Sequence, residues 1–263
     1  MQNQESNKNA RQDFIGVLNS VAAHLQHLKE EGALSVEANP ETVRRLGTVA
    51  APVPAGKPPV SAPGSINASA SDVAAGLKEI AKQVDVCALC PLHKGRTRTV
   101  PGQGSTAPEI MFVGEGPGYD EDQQGLAFVG RAGQLLTKII EAMGLTRDQV
   151  FIGNIVKCRP PENRKPLPDE MRACLPYLRE QIQLLNPKII VALGATAVQG
   201  LLEIETVGIT KMRGKWLHYN GIDLMPTYHP AYLLRNPSVK KDVWEDMKTV
   251  LAKLGRQPPS REK

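Results

Sequence analysis

From Glu109 onward the chain alternates short apolar runs with stretches of helical periodicity, and this alternation constrains the fold more than any other property of the sequence. Residues 109–114 (EIMFVG), 150–156 (VFIGNIV) and 188–193 (KIIVAL) read as strands. Residues 132–143, 169–185 with Pro168 ahead of them, and 239–254 read as helices. Residues 216–228 hold an Asn220-Gly221 turn between two apolar stretches, the signature of a hairpin. Strands that alternate with helices form a mostly parallel sheet covered on both faces. Ligands of such α/β folds bind beyond the carboxyl ends of the strands.

The first part of the chain is different. Phe14, Val17, Leu18, Val21, Leu25 and Leu28 fall at helical spacing and predict one amphipathic helix over 12–32, ending at Gly32. Residues 46–75 are rich in Ala, Pro, Gly, Ser and Val, with almost no charge, so they cannot bury enough surface to offset their ordering entropy. The expected organisation is an extension over 1–45, a flexible linker over 46–75, a catalytic-type domain over 76–256 and a disordered tail over 257–263. The extension's helix suits a protein partner. No apolar run is long enough for a bilayer and no signal peptide opens the chain, which predicts a cytoplasmic, soluble protein without membrane contact. The net charge of +5 is uneven. Residues 86–263 hold 24 basic and 18 acidic side chains, so the excess lies in the downstream part and is compatible with a polyanionic partner.

All four cysteines of the chain lie in that part, as Cys87-x2-Cys90 and Cys158-x15-Cys174. Two distant pairs, with no odd cysteine left over, are what a four-thiolate site needs. Disulfides would want an oxidising compartment, for which the N-terminus offers no signal. Spacing alone leaves zinc and an iron–sulfur cluster equally open, because both accept four thiolates.

The candidate chemistry sits at the strand ends. Gly114-Glu-Gly-Pro-Gly118 follows the first strand, so its glycines let a ligand approach the backbone. Tyr119 stands where a dinucleotide-binding turn would need glycine. Asn154, near the end of the second strand, offers a donor and an acceptor to an amide-containing ring. Phe128, between glycines and outside any periodic element, is either a core plug or a stacking platform. His229-Pro-Ala-Tyr-Leu-Leu-Arg235 joins a strand-end histidine to an apolar tip and an arginine, the composition of a wedge that enters a duplex beside a phosphate contact.

Residues 114–122 (GEGPGYDED), 128–133 (FVGRAG), 154–161 (NIVKCRPP) and 229–235 (HPAYLLR), with the four cysteines, resemble the family 4 uracil-DNA glycosylases from about Val84 to Leu254. The resemblance implies a three-layer α/β/α sandwich with a central, mostly parallel sheet of about four strands. It also implies a [4Fe–4S] cluster on Cys87, Cys90, Cys158 and Cys174, which breaks the tie with zinc. Phe128 would stack on flipped uracil, Asn154 would bond its amide edge, and His229 would donate to the carbonyl oxygen that gains charge. Gly114 and Gly116 would line the base, while Glu115 and Glu121 would shape the pocket and position water, completing a catalytic set with His229. Leu233, Leu234, Arg235, Lys157, Arg159 and Arg164 would contact DNA. The implied activity is monofunctional uracil excision by a monomer, leaving an abasic site for base excision repair. Gly116 stands where the family more often has Ala, and Tyr119 replaces an acidic residue. No basic, histidine-containing insertion of the sugar-trapping relatives follows the first motif. The competing reading is a non-catalytic iron–sulfur module that binds nucleic acid, which would have no need of Phe128, Asn154 and His229 together.

Overall fold

The computed structural model describes residues 69–259. Six strands form one sheet in the order β1-β3-β2-β4-β6-β5: β1 (Gln103–Gly104), β2 (Ile110–Gly114), β3 (Phe151–Asn154), β4 (Ile189–Leu193), β5 (Leu217–Tyr219) and β6 (Ile222–Thr227). The inner four, β3-β2-β4-β6, are parallel, as the alternation of strands and helices requires, and an antiparallel strand flanks each edge. The expected count of about four therefore describes the parallel core. The β5–β6 hairpin turns at Asn220 (φ 48°) and Gly221 (φ 84°), the left-handed pair that an Asn-Gly turn supplies. Two-residue β1 carries no apolar run and left no signal in the sequence.

Alternation along β2 divides the core. Met111 and Val113 pack with Val73, Leu178 and Ala197, contributed by α1 (Ala70–Asp85), α4 (Pro168–Leu185) and α5 (Ala195–Leu202). Ile110 and Phe112 face the opposite side and pack with Leu136, Leu233 and Met247, contributed by α3 (Arg131–Ala142), α7 (Pro230–Arg235) and α8 (Lys240–Lys253). Successive side chains of a strand point to opposite faces, so one central strand serves two helical layers. The result is the three-layer α/β/α arrangement. Short helices α2 (Tyr119–Gln124) and α6 (Ile209–Met212) complete the elements used below.

Two boundaries differ from the sequence reading. Helix α1 begins at Ala70, inside the stretch assigned to the linker, because the Ser69 side chain accepts from the Asp72 amide while Asp72 caps the Ser69 amide in return. Its buried Val73, Ile80 and Val84 give it an apolar stripe that the Ala/Ser-rich opening obscured. At the other end, Pro258 and Pro259 line a groove with Leu135, Ile139 and Trp244, so the first residues assigned to a disordered tail lie against the domain. The helix expected over 12–32 lies outside the described residues. Among the described residues no helix is long and apolar enough to cross a membrane.

Candidate active site

In the order β3-β2-β4 the chain leaves β2 to one side and returns to the other, a switch point at the carboxyl ends of the strands where α/β folds bind their ligands. Gly114 closes β2 and pairs with Asn154, the last residue of β3. A Cβ on Gly114 would lie 2.5 Å from Asn154 Oδ1 and 2.5 Å from Phe128 Cζ, so the glycine is what allows these two side chains to meet. Asn154 is 1% exposed and its Oδ1 has no hydrogen-bond partner. A buried amide oxygen left unpaired costs about 1–3 kcal/mol, which marks it as a group awaiting a donor.

His229 completes the pocket. It follows β6 and N-caps α7, where its Nδ1 accepts from the Ala231 amide at 3.2 Å. The ring proton therefore resides on Nε2, which is free to donate. Burial, aided by Arg235, pushes its pKa down to about 4, so the imidazole is neutral at ordinary pH. Its ring lies 5.7 Å from that of Phe128, tilted by 36°. Phe128, Asn154 and His229, singled out separately in the sequence, thus face one space.

The two glutamates diverge. Glu115 Oε2 accepts from the Thr196 hydroxyl at 2.5 Å, which pins the carboxylate across the start of α5. Glu121 Oε1 accepts from the amides of Val129 and Gly130, both at 2.8 Å, and its Oε2 accepts from the Gly118 amide at 3.0 Å. Both of its oxygens are held by the backbone, so Glu121 ties the glycine loop to the Phe128 loop. A Cβ on Gly116 would lie 2.7 Å from Val156 Cγ2, so Gly116 lets the two strand-end loops close on each other.

The expected DNA contacts need two corrections, at Lys157 and Leu233. Lys157 is fully buried, donating from Nζ to the Asn154 carbonyl at 3.0 Å and to Gln181 Oε1 at 2.7 Å, and cannot grip a phosphate. Arg164 makes a bidentate pair with Glu170 at 2.8 and 2.6 Å while its side chain stays exposed. Leu233 is 1% exposed and packs in the core; the exposed apolar residues of α7 are Tyr232 and Leu234. Arg235 is exposed at the end of that helix. Arg159 lies over the exposed Tyr119 ring at 5.1 Å, on the rim of the glycine loop.

On the α4 side of the sheet Cys87, Cys90, Cys158 and Cys174 line one cavity with Val84, Leu89 and Tyr177. Arg96 Nη1 donates to Cys158 Sγ at 3.2 Å and the Lys157 amide to Cys174 Sγ at 3.3 Å. Burial pushes the Cys174 thiol up to about 12 and also raises Cys158, so ionising these sulfurs requires a strong positive group among them. Among the described residues no three Cys, His, Asp or Glu side chains are gathered closely enough for a lone ion.

One residue tied to the Phe128 loop escaped the sequence reading. Arg147 donates to the carbonyls of Ala127 at 2.6 Å and Phe128 at 3.1 Å, and to Thr137 Oγ1 at 3.1 Å. An arginine before an unremarkable strand carries no local signal of such a task.

The family model of the Uracil DNA glycosylase superfamily matches residues 101–248. The type-4 uracil-DNA glycosylase of Thermotoga maritima is 49% identical over 173 residues, covering 64% of this chain and 89% of that one. The type-4 enzyme of Sulfurisphaera tokodaii is 49% identical over 182 residues, covering 66% of this chain and 83% of its own. A type-5 uracil-DNA glycosylase of Pyrobaculum aerophilum is more distant, 32% identical over 154 residues, covering 52% of this chain and 67% of that protein. With the pocket and the four cysteines on the same scaffold, the chain belongs to the uracil-DNA glycosylase superfamily and, within it, to the type-4 family.

Proposed function

We propose that this protein extrudes uracil from DNA and hydrolyses its N-glycosidic bond, leaving an abasic site for base excision repair. The observation that carries this reading is the unpaired, buried Asn154 Oδ1, which meets the Phe128 ring at Gly114, with the His229 ring 5.7 Å from that of Phe128. Uracil supplies what each lacks. Its N3–H would donate to Asn154 Oδ1, its face would stack on Phe128, and its O2 would accept from His229 Nε2–H. As the bond breaks the base becomes an anion and the sugar becomes cation-like. A neutral imidazole already aimed at the growing charge stabilises that anion without having to give up a full proton. Glu115 is the carboxylate left to orient water, because Thr196 occupies only one of its oxygens. A non-catalytic module gives no reason for these groups to converge.

Cys87, Cys90, Cys158 and Cys174 would hold a [4Fe–4S] cluster. Four thiols around one cavity, two of them already receiving N–H groups, fit such a group. When bound, the cluster supplies a cationic core for four thiolates and cross-links the end of α1, the turn after it, the loop after β3 and α4. DNA would meet Tyr232, Leu234 and Arg235 of α7 on one side of the pocket and the Tyr119–Arg159 pair on the other. The enzyme would act in the cytoplasm as a monomer, with the helix expected over 12–32 serving a protein partner. Incubation with an oligonucleotide carrying one uracil, followed by alkali, should cleave it at that position. An intact strand after prolonged incubation with active-site-competent, cluster-loaded protein would reject the reading.

A further inference from the structure

Phe128 holds a φ of 54°, a left-handed conformation that bulky L residues rarely adopt. Nothing in regular secondary structure maintains it, since the residue lies between α2 and α3. Two side chains from other parts of the chain do. Ahead of the bend, the Arg147 guanidinium takes the carbonyls of Ala127 and Phe128 and also the hydroxyl of Thr137 on α3. Behind the bend, Glu121 Oε1 takes the amides of Val129 and Gly130. Four backbone polar groups, one from each of residues 127–130, are thus held by one cation and one anion. The absent side chain of Gly133 removes the remaining obstacle, because a Cβ there would collide with the Phe128 main chain.

We propose that Arg147 is a positioning residue for base recognition, clamping the Phe128 backbone together with Glu121 so that the ring is presented to the base in a fixed attitude. The inference rests on the reading of Phe128 as the stacking platform for uracil. Arg147 precedes β3 and reaches only main-chain oxygens and Thr137, so it acts through Phe128 and has no contact of its own with the base. Its planar fork is required. A lysine ammonium is a point donor that cannot span two successive carbonyls and a hydroxyl in one plane. Backbone strain at a functional residue persists only when the surroundings over-determine it, and here they do so from both sides.

The test is a double-mutant cycle on the full-length protein. Arg147→Met, Phe128→Ala and the double variant are compared by single-turnover excision of uracil and by affinity for the same oligonucleotide carrying an abasic site. Arg147→Met should slow excision about 10- to 100-fold, the range set by losing hydrogen bonds to a charged group, with unchanged affinity for abasic DNA. In the Phe128→Ala background the same change should add nothing, because the ring it positions is gone. Additive slowing, or parental excision by Arg147→Met, overturns the clamp. Parental excision by Phe128→Ala overturns the stacking reading, and the clamp with it, which separates the two failures. If Arg147→Met does not fold, Arg147→Lys keeps the charge and most of the packing. It should show the same non-additive loss in the same cycle.

Discussion

Adding one methyl group at Gly114 asks the most of this pocket for the least change in chemistry. The new Cβ would stand 2.5 Å from both Asn154 Oδ1 and Phe128 Cζ, so one of the two recognition groups must leave its place. Gly114→Ala should therefore reduce single-turnover excision by at least about 100-fold, consistent with the cost of misplacing groups in a reacting complex by about 1 Å. Circular dichroism should show the fold retained. His229 makes a second prediction at this scale. Removing its donor in His229→Ala should slow the chemical step by about 10²–10³-fold while sparing DNA affinity. Its pKa, pushed from 6.5 down to about 4, means the native ring stays neutral where an unfolded histidine would already bind a proton. The contribution of His229 to stability is therefore full above about pH 6.5 and falls as pH drops toward about 4. Denaturation midpoints of the parent and His229→Ala should converge across that window, and excision should show no acid limb near 6.5 arising from this residue. Phe128, Asn154 and His229 were legible in sequence because each sits beside a glycine loop or a strand end. The burial of Lys157 and the capture of Glu121 were not, since charged residues in a motif look alike whether they face DNA or the backbone.

Helix α7 shows how much depends on phase within a short element. Read as a loop, Tyr232, Leu233 and Leu234 form one apolar tip; as a six-residue helix they point in three directions, and only the middle one enters the core. A segment of under two turns has too little periodicity to reveal this in sequence. The consequence is a paired prediction. Leu233→Ala should cost about 2–5 kcal/mol of stability, as for other fully buried leucines, and should lower the thermal midpoint before it affects chemistry. Leu234→Ala, at 38% exposure, should leave the midpoint within experimental scatter and slow excision from duplex DNA more than from single strands, where no base has to be displaced. Equal effects of the two on duplex excision would show that the exposed face of α7 does not meet DNA. Longer elements raised no such difficulty. The apolar runs of β2, β3 and β4, and the stripes of α3, α4 and α8, lie within a residue or two of their expected bounds; at β3 the last two expected residues leave the sheet toward the Lys157–Cys158 loop.

Over the whole molecule, the layered core and the cysteine cavity carry different loads. The sheet and its helices position the pocket, whereas the four thiols join α1 to α4 and the β3 loop. Anaerobically isolated protein should be brown and hold roughly four irons per chain, and stoichiometric zinc in fully active protein would contradict the cluster. Cys174→Ser should cost solubility and thermal stability more than it costs the rate of the fraction that remains folded, because the ligands bind together segments that do not touch uracil. The same architecture fixes where the domain begins. Composition placed its start near residue 76, since alanines and serines hide a helix whose stability comes from one buried stripe and a cap. In the structure Ser69 caps α1 and Val73 packs into the layer with α4. A protein beginning at Ser69 should therefore excise uracil from a short oligonucleotide at the parental rate. One beginning at residue 74 loses the cap, worth about 1 kcal/mol, and a buried valine, worth about 1.5–3 kcal/mol. In a domain of this size those losses correspond to a midpoint lower by roughly 5–15 °C. The shortened helix also leads directly to Cys87 and Cys90, so iron content should fall with the midpoint. A protein beginning at residue 74 with parental midpoint and iron content would show that the first turn of α1 contributes nothing to the domain.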